Sequence, residues 1–166
     1  MRFESFRTWD GTLLAAHHAG RGDLPVILAN GLGGTFVAWR PLVDALGDRC
    51  GLYSWDYCGL YRSERPDDLH TLSVPDQARD LEVLMDHFGI ERAILAGWSM
   101  GVQLSLEFFR HHPDRVLGMV LRGIFLCRPE DIHWFYQDGA SRIFPDYWED
   151  FISPIRTGLA ESTDCW

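Results

Sequence analysis

Short apolar runs alternate with segments of helical periodicity along the first 121 residues of the chain. Four of these runs predict buried strands, at residues 25–30, 50–56, 92–97 and 116–121. Apolar residues at helical spacing predict helices between them, at residues 38–46, 74–88 and 100–111. Strand and helix in succession predict a mostly parallel sheet that is covered by helices on both faces.

The two ends of the chain have different patterns. Arg2–Phe6 and Leu13–His18 flank an Asp10-Gly11 turn, which predicts an antiparallel hairpin at the N-terminus. Residues 124–166 are rich in Trp, Tyr and Phe, contain three prolines and show no convincing strand. The alternating strand and helix pattern therefore ends near Leu121.

Charge and composition narrow the possible partners. Fifteen basic against 24 acidic residues give a net charge of −9, which would repel a phosphate backbone, so we expect no nucleic-acid partner. No apolar run approaches the ~20 residues of a membrane span and the N-terminus lacks the layout of a signal peptide, which predicts a cytoplasmic protein without membrane contact. The four cysteines form no C-x-x-C pair, so neither a zinc site nor a disulfide framework is predicted.

A G-x-S-x-G pentapeptide at 97–101 carries the first candidate chemistry. The motif alone is weak evidence, but Ser99 directly follows a predicted strand and directly precedes a predicted helix. This is the context of a nucleophile elbow, in which small residues such as Gly97 and Gly101 let strand and helix approach and Trp98 and Met100 flank the serine. The alternative is a serine that only caps a helix. We predict that Ser99 is the nucleophile.

Acyl transfer also requires donors for the developing oxyanion. An elbow supplies the backbone N–H after the nucleophile, here that of Met100. A second donor is predicted from the glycine-rich turn that begins with Asn30 and Gly31, where the N–H of Leu32 can approach Ser99. The alternative, a turn that holds a phosphate, lacks the Lys of a P-loop and the G-x-G-x-x-G spacing.

The base and carboxylate that a serine nucleophile needs are harder to find. In this topology they follow the serine in the order Asp or Glu, then His. His111 and His112 end the predicted helix, roughly 15 Å or more from Ser99 at 1.5 Å per residue, and His133 lies in an aromatic stretch. We therefore expect that the chain stops before its catalytic Asp and His.

These residues resemble the α/β-hydrolase superfamily over Phe3–Leu121. The resemblance rests on a combination of motifs: Asp10-Gly11-Thr12, Asn30-Gly31, Trp39-Arg40, Asp56-Tyr57-x-Gly59, the elbow, and His112-Pro113-Asp114-Arg115-Val116. Members commonly have His-Gly where this chain has Asn30-Gly31. The implied fold is an incomplete α/β-hydrolase sheet, mostly parallel with an antiparallel N-terminal hairpin, flanked by helices and followed by the start of a helical cap.

Leu121–Ile155 is similar to a narrower family, the proline iminopeptidases (prolyl aminopeptidases). That resemblance implies release of an N-terminal proline beneath a cap, with Trp134, Phe135 and Tyr136 as a possible substrate pocket. The front half departs from this family, which typically has His-Gly-Gly-Pro-Gly at the oxyanion turn and Gly-Gly-Ser-Trp-Gly at the elbow. The sequence therefore resembles an esterase-type core joined to an iminopeptidase cap.

Three parts are expected: residues 1–121 as the N-terminal part of the hydrolase core, 122–155 as the start of the cap, and 156–166 as a tail. The predicted function is that of a serine hydrolase of the proline iminopeptidase type, a protease that acts on a small-molecule or peptide substrate without metal or other cofactor. An esterase acting on a small ester and a catalytically silent fragment are the alternatives. The oligomeric state stays open.

Overall fold

A single sheet forms the centre of the first part of the chain. The computed structural model describes residues 2–68 and 72–161, with side chains up to residue 154, and within these residues six strands pair in the order β1-β2-β4-β3-β5-β6. Their bounds are β1 Arg2–Arg7, β2 Leu13–Gly20, β3 Leu24–Ala29, β4 Cys50–Trp55, β5 Ala93–Trp98 and β6 Val116–Arg122. The predicted hairpin is confirmed, since β1 pairs with β2 in antiparallel register; β2 is also antiparallel to β4. The pairs β3–β4, β3–β5 and β5–β6 are parallel.

Three α-helices follow strands of this sheet: α1 Arg40–Leu46, α2 Val74–His87 and α3 Met100–His111. The helix predicted at residues 38–46 divides in two, because a 3₁₀ turn at Phe36–Trp39 precedes α1. Pro41 lies in the first turn of α1, where its missing N–H costs no helical hydrogen bond. Ser73 caps the N-terminus of α2, and its hydroxyl accepts a hydrogen bond from the Asp76 N–H at 3.3 Å.

The helices enclose two apolar layers, one on each face of the sheet. One layer joins the sheet to α2 and α3 and contains Leu81, Leu84, Leu95, Leu104 and Phe108, all at most 1% exposed. The other contains Leu28, Leu52 and Phe36, with partly buried side chains of α1 packed against it. The central strands β3 and β5 are therefore covered on both faces, as parallel strands require.

Contacts divide the chain into two compact units, residues 1–125 and 126–166. The second unit is helical where it is described: α4 Pro129–His133, a π-helical turn Trp134–Gly139, α5 Ala140–Ile143, a 3₁₀ turn Pro145–Tyr147 and α6 Trp148–Glu161. Part of the predicted tail, residues 162–166, lies outside the described residues. No helix of residues 2–68 or 72–161 is long and apolar enough to cross a membrane.

A buried carboxyl group joins three segments of the first unit. Asp80 on α2 is 2% exposed and accepts hydrogen bonds from the Thr8 hydroxyl and, at 3.6 Å, from the Cys58 thiol. Burial raises the pKa of Asp80 to about 6 although both hydrogen bonds lower it, and burial together with the Asp80 charge raises the pKa of Cys58 to about 12. The folded chain therefore holds the Asp80 proton more tightly than an unfolded chain does.

We expect Asp80→Asn to be more stable than the wild type at pH 8, by about 3 kcal/mol. The pKa of Asp80 is raised from 3.8 to about 6 in the folded chain. Its favourable contribution to the free energy of unfolding is therefore fully present below pH 3.8 and is lost as the pH rises through 6. The difference between the two proteins should therefore vanish near pH 4. Urea unfolding from pH 4 to pH 8 measures it, with Asp44→Asn on the exposed face of α1 as the control. Parallel stability curves for Asp80→Asn and the wild type would contradict this prediction.

Candidate active site

Ser99 lies at a tight turn between a strand and a helix, as predicted. β5 ends at Trp98 and α3 begins at Met100, and between them Ser99 has φ 53° and ψ −115°. A residue other than glycine rarely adopts a positive φ of this kind, so the backbone is strained at Ser99. The Ser99 N–H donates to the Arg122 carbonyl of β6 at 3.0 Å, which fixes the turn to the sheet.

Gly97 and Gly101 allow the strand and the helix to approach each other. A Cβ atom at Gly97 would lie 2.5 Å from the Gly101 carbonyl oxygen, and one at Gly101 would lie 2.1 Å from the Ala29 carbonyl oxygen. Neither position has room for a side chain. The two glycines therefore have the role that the sequence predicted, and Gly101 also brings α3 against the end of β3.

The turn after β3 contacts the elbow directly. A Cβ atom at Gly31 would lie 3.4 Å from both the Ser99 Cβ and the Trp98 carbonyl oxygen. Gly34 N–H donates to the Gly31 carbonyl at 2.9 Å, and Gly33 has φ 69°, the conformation that a type II turn requires at its third residue. The structure thus brings together the two segments that the sequence predicted to form one site.

The side chain of Asn30 anchors this turn by hydrogen bonds. It is 1% exposed, and its amide NH₂ donates to the Ser54 hydroxyl and the Trp55 carbonyl, each at 3.3 Å. Its side-chain oxygen accepts from the Trp39 indole N–H at 2.6 Å. The side-chain amide of Asn30 makes all three hydrogen bonds. Asn30 can therefore hold the turn at a position where the superfamily commonly has His.

The two predicted oxyanion donors differ in their surroundings. Met100 is the first residue of α3, where a backbone N–H has no carbonyl of its own helix to bond. The Leu32 side chain is 80% exposed, beside the Gly31 contact with Ser99. Donation by Leu32 and Met100 to an oxyanion stays a prediction.

Trp98, next to Ser99, packs between the glycine-rich turn after β3 and the end of β6. Its ring lies 3.8 Å from the position of a Gly31 Cβ and 3.6 Å from that of a Gly123 Cβ. The Arg122 guanidinium lies over the same ring, 5.2 Å from its centroid. Trp98 therefore forms one side of the space around Ser99.

Sequence reasoning missed two tyrosines near this turn. Tyr57 and Tyr61 follow β4, and their hydroxyls donate to the carbonyls of Asn30, at 2.6 Å, and of Gly33. Burial raises the pKa of the Tyr57 hydroxyl. The neighbouring Asp56 binds His17 at 2.9 Å in a buried pair. No periodicity marks a loop tyrosine, so the sequence pattern did not signal the contacts of Tyr57 and Tyr61.

Each histidine downstream of Ser99 pairs with a carboxylate. His111 lies 3.1 Å from Glu107 and His112 lies 3.6 Å from Glu82, both at the C-terminal end of α3. In the second unit, His133 Nδ1 lies 3.5 Å from an oxygen of Asp138. Within residues 2–68 and 72–154, no group of three or more His, Cys, Asp or Glu side chains is arranged to hold a metal ion.

The predicted pocket residues lie on the π-helical turn of the second unit. Trp134, Phe135 and Tyr136 are 57%, 54% and 44% exposed, and the Phe135 and Tyr136 rings meet edge to face with centroids 5.0 Å apart. A side chain with this much aromatic surface in water is available to a ligand or to another part of a protein. Their role in a pocket stays a prediction.

The sheet order, the strained serine between β5 and α3, and the glycine-rich turn against it define an α/β hydrolase. The chain belongs to the α/β hydrolase fold family, whose model matches residues 25–160. Within that family it is similar to a "probable proline iminopeptidase" of Leptolyngbya boryana, with 43% identity over 133 residues, 79% of this chain and 41% of the relative. It is 39% identical over 129 residues to the proline iminopeptidase of Arabidopsis thaliana, covering 76% of this chain and 33% of that protein.

Solved structures agree on the fold. Epoxide hydrolase A of Mycobacterium thermoresistibile superposes with a TM-score of 0.69 at 27% identity, covering 81% of this chain and 44% of that chain. An α/β hydrolase of Novosphingobium aromaticivorans gives a TM-score of 0.67 at 24% identity, covering 72% and 43%. The chain spans less than half the length of these relatives and structures.

Proposed function

We propose that this polypeptide is part of a serine hydrolase that releases N-terminal proline from peptides. Ser99 is the nucleophile, and the N–H groups of Leu32 and Met100 hold the oxyanion. The observation that carries the proposal is the strained conformation of Ser99 between β5 and α3, with the Gly31 turn against it. Backbone strain at a serine between a buried strand and a helix is a feature of nucleophile elbows.

In the proposed reaction, the Ser99 hydroxyl adds to the carbonyl carbon of the scissile bond while a base takes its proton. The tetrahedral oxyanion accepts hydrogen bonds from the two backbone amides, and collapse expels the amine and leaves an acyl-enzyme that water hydrolyses. His111 and His112 lie at the C-terminal end of α3, opposite the end that follows Ser99, so neither is placed to take its proton. We assign the base and its carboxylate to polypeptide beyond these 166 residues.

Proline specificity is supported by the names of the relatives and by the composition of the second unit. The curated relatives are named proline iminopeptidases. The second unit combines exposed aromatic side chains, which can pack on a pyrrolidine ring, with carboxylates that attract an ammonium group. A small-molecule or peptide substrate and a cytoplasmic location remain parts of this proposal.

An esterase is the second candidate. The observation that favours it is the front half of the site, where Asn30 and the sequence Gly97-Trp98-Ser99-Met100-Gly101 replace the residues typical of proline iminopeptidases. The hydrogen bonds of Asn30 to Trp39, Ser54 and Trp55 hold the turn in place with this substitution. The two candidates share the nucleophile and differ in the leaving group.

A hybrid enzyme tests the proposed specificity. Joining this chain to the C-terminal part of the Leptolyngbya boryana relative that lies beyond the match supplies the remaining residues. We expect the hybrid to cleave proline β-naphthylamide at least about 10-fold faster than alanine β-naphthylamide, because a pocket shaped for the ring discriminates by a few kcal/mol. Ser99→Ala in the hybrid is the control. Equal rates on both amides, or faster cleavage of p-nitrophenyl acetate alone, would favour the esterase.

A further inference from the structure

One loop holds the oxyanion turn at two points. The loop that follows β4 carries Tyr57 and Tyr61, whose hydroxyls donate to the Asn30 and Gly33 carbonyls on either side of Leu32. We propose that Tyr57 and Tyr61 are positioning residues that fix the direction of the Leu32 N–H. The inference rests on the proposed role of that N–H and goes beyond it, because it names the side chains that hold the donor in place.

The mechanism follows from the geometry of the peptide bond. In a trans peptide, the C=O of one residue and the N–H of the next point in opposite directions, so fixing one fixes the other. The Tyr57 hydroxyl fixes the Asn30 carbonyl and hence the Gly31 N–H. The Tyr61 hydroxyl fixes the Gly33 carbonyl and hence the Gly34 N–H.

The Gly34 N–H connects the Tyr61 contact to the predicted donor. It donates to the Gly31 carbonyl at 2.9 Å, and that carbonyl belongs to the same peptide as the Leu32 N–H. Holding Gly34 therefore holds the Gly31–Leu32 peptide, with the Leu32 N–H directed away from the Gly34 side of the turn. Tyr57 acts on the peptide before this one and Tyr61 on the peptide after the Leu32–Gly33 bond, so both sides of the donor are fixed.

The backbone of the loop favours this function over simple packing. Tyr61 is 60% exposed and has φ 50°, a conformation that costs a residue other than glycine free energy. Because Tyr61 is exposed, burial of its side chain does not offset that cost. The hydrogen bond from its hydroxyl to the Gly33 carbonyl can help to offset it. Two backbone hydrogen bonds hold the loop in one conformation. The Leu60 N–H donates to the Tyr57 carbonyl at 2.9 Å, and the Gly59 N–H donates to the Glu64 carbonyl at 2.8 Å. It therefore presents both hydroxyls from a defined backbone.

Tyr61→Phe is the cleanest test, because the ring stays and the residue is exposed. In the 166-residue chain, NMR measures the water-exchange rate of the Gly34 amide and the chemical shift of the Leu32 amide. In the hybrid enzyme described above, where a base is present, intact-mass spectrometry measures the rate at which a fluorophosphonate probe labels Ser99. We expect Gly34 exchange to be about 5-fold faster and the maximal labelling rate about 5-fold lower, with the probe concentration for half-maximal rate and the Tm unchanged. Tyr53→Phe, whose ring stacks on His18, is the matched control and should change none of these.

Unchanged Gly34 exchange and an unchanged Leu32 shift in Tyr61→Phe would overturn the inference, whatever the labelling rate. Faster Gly34 exchange with wild-type labelling would also overturn it, since the turn would then move without consequence for the donor. Labelling of the hybrid enzyme no faster than that of its Ser99→Ala variant would instead refute the proposed function, and the inferred role would fall with it. Tyr57→Phe provides a second variant, in which a lowered Tm is expected because Tyr57 is buried.

Discussion

Hydrolysis of proline β-naphthylamide and p-nitrophenyl acetate by the isolated 166-residue chain is expected to be about 10⁴–10⁶-fold slower than by the hybrid enzyme. The physical reason is that the proposed proton acceptor lies outside these 166 residues. A serine hydroxyl is a weak nucleophile unless a base removes its proton as the bond forms. The elbow and the oxyanion turn alone leave a small residual acceleration over water. Initial rates at equal concentrations of the two proteins measure the difference.

Two variants separate this expectation from its alternatives. Ser99→Ala should remove whatever residual activity the isolated chain has. His133→Ala should change nothing, because the proposed base lies outside these 166 residues and His133 is not assigned to the reaction. Rapid turnover by the isolated chain that both substitutions abolish would contradict the prediction and identify His133 as the base. Turnover below detection with normal folding would agree with a catalytically silent fragment.

Gly101→Ala is expected to destabilise the fold by more than about 3 kcal/mol, a large part of the stability of a domain of this size. The added Cβ would lie 2.1 Å from the Ala29 carbonyl oxygen and 2.9 Å from that of Asn30. Both atoms belong to backbone that is held in the sheet or by the Tyr57 hydroxyl, so neither can move away freely. α3 would have to shift as a whole, with loss of its packing on β5. Urea unfolding followed by circular dichroism measures the change.

Gly118→Ala is the matched control for this substitution. Gly118 lies on β6, and a Cβ atom there would have no neighbour within 4 Å. Its replacement should change the free energy of unfolding by less than about 1 kcal/mol. Equal effects of the two substitutions would show that the close approach of α3 to β3 does not limit the residue at position 101.

Most of the fold could be predicted from local pattern. The apolar runs at 25–30, 50–56, 92–97 and 116–121 correspond in turn to β3, β4, β5 and β6. Each predicted bound differs from the observed one by at most one residue. They could be found because each buried strand is a short apolar run, and such runs need no knowledge of their neighbours. The elbow could be placed for the same reason, since its strand, serine and helix are consecutive in the sequence.

The order of the strands and the contacts of the site could not be predicted in this way. The position of β4 between β2 and β3 depends on pairing between distant segments, which periodicity does not report. The hydrogen bonds of Asn30 to Trp39 and of Tyr57 to Asn30 likewise join separate parts of the chain. The helical character of the second unit was implied by resemblance alone, because its helices are short and are interrupted by a π-helical turn.

Folding of this sheet must wait for a late segment of the chain. β1 and β2 are joined by a short turn and can pair early, whereas β3 pairs with β5 in a register that joins Val26 to Ile94. Closing so long a loop costs chain entropy before any contact compensates it, which makes this the slow step in sheets of high contact order. During synthesis, the N-terminal hairpin can therefore exist before the site does. Ser99 and the glycine-rich turn after β3 come together only when the centre of the sheet closes.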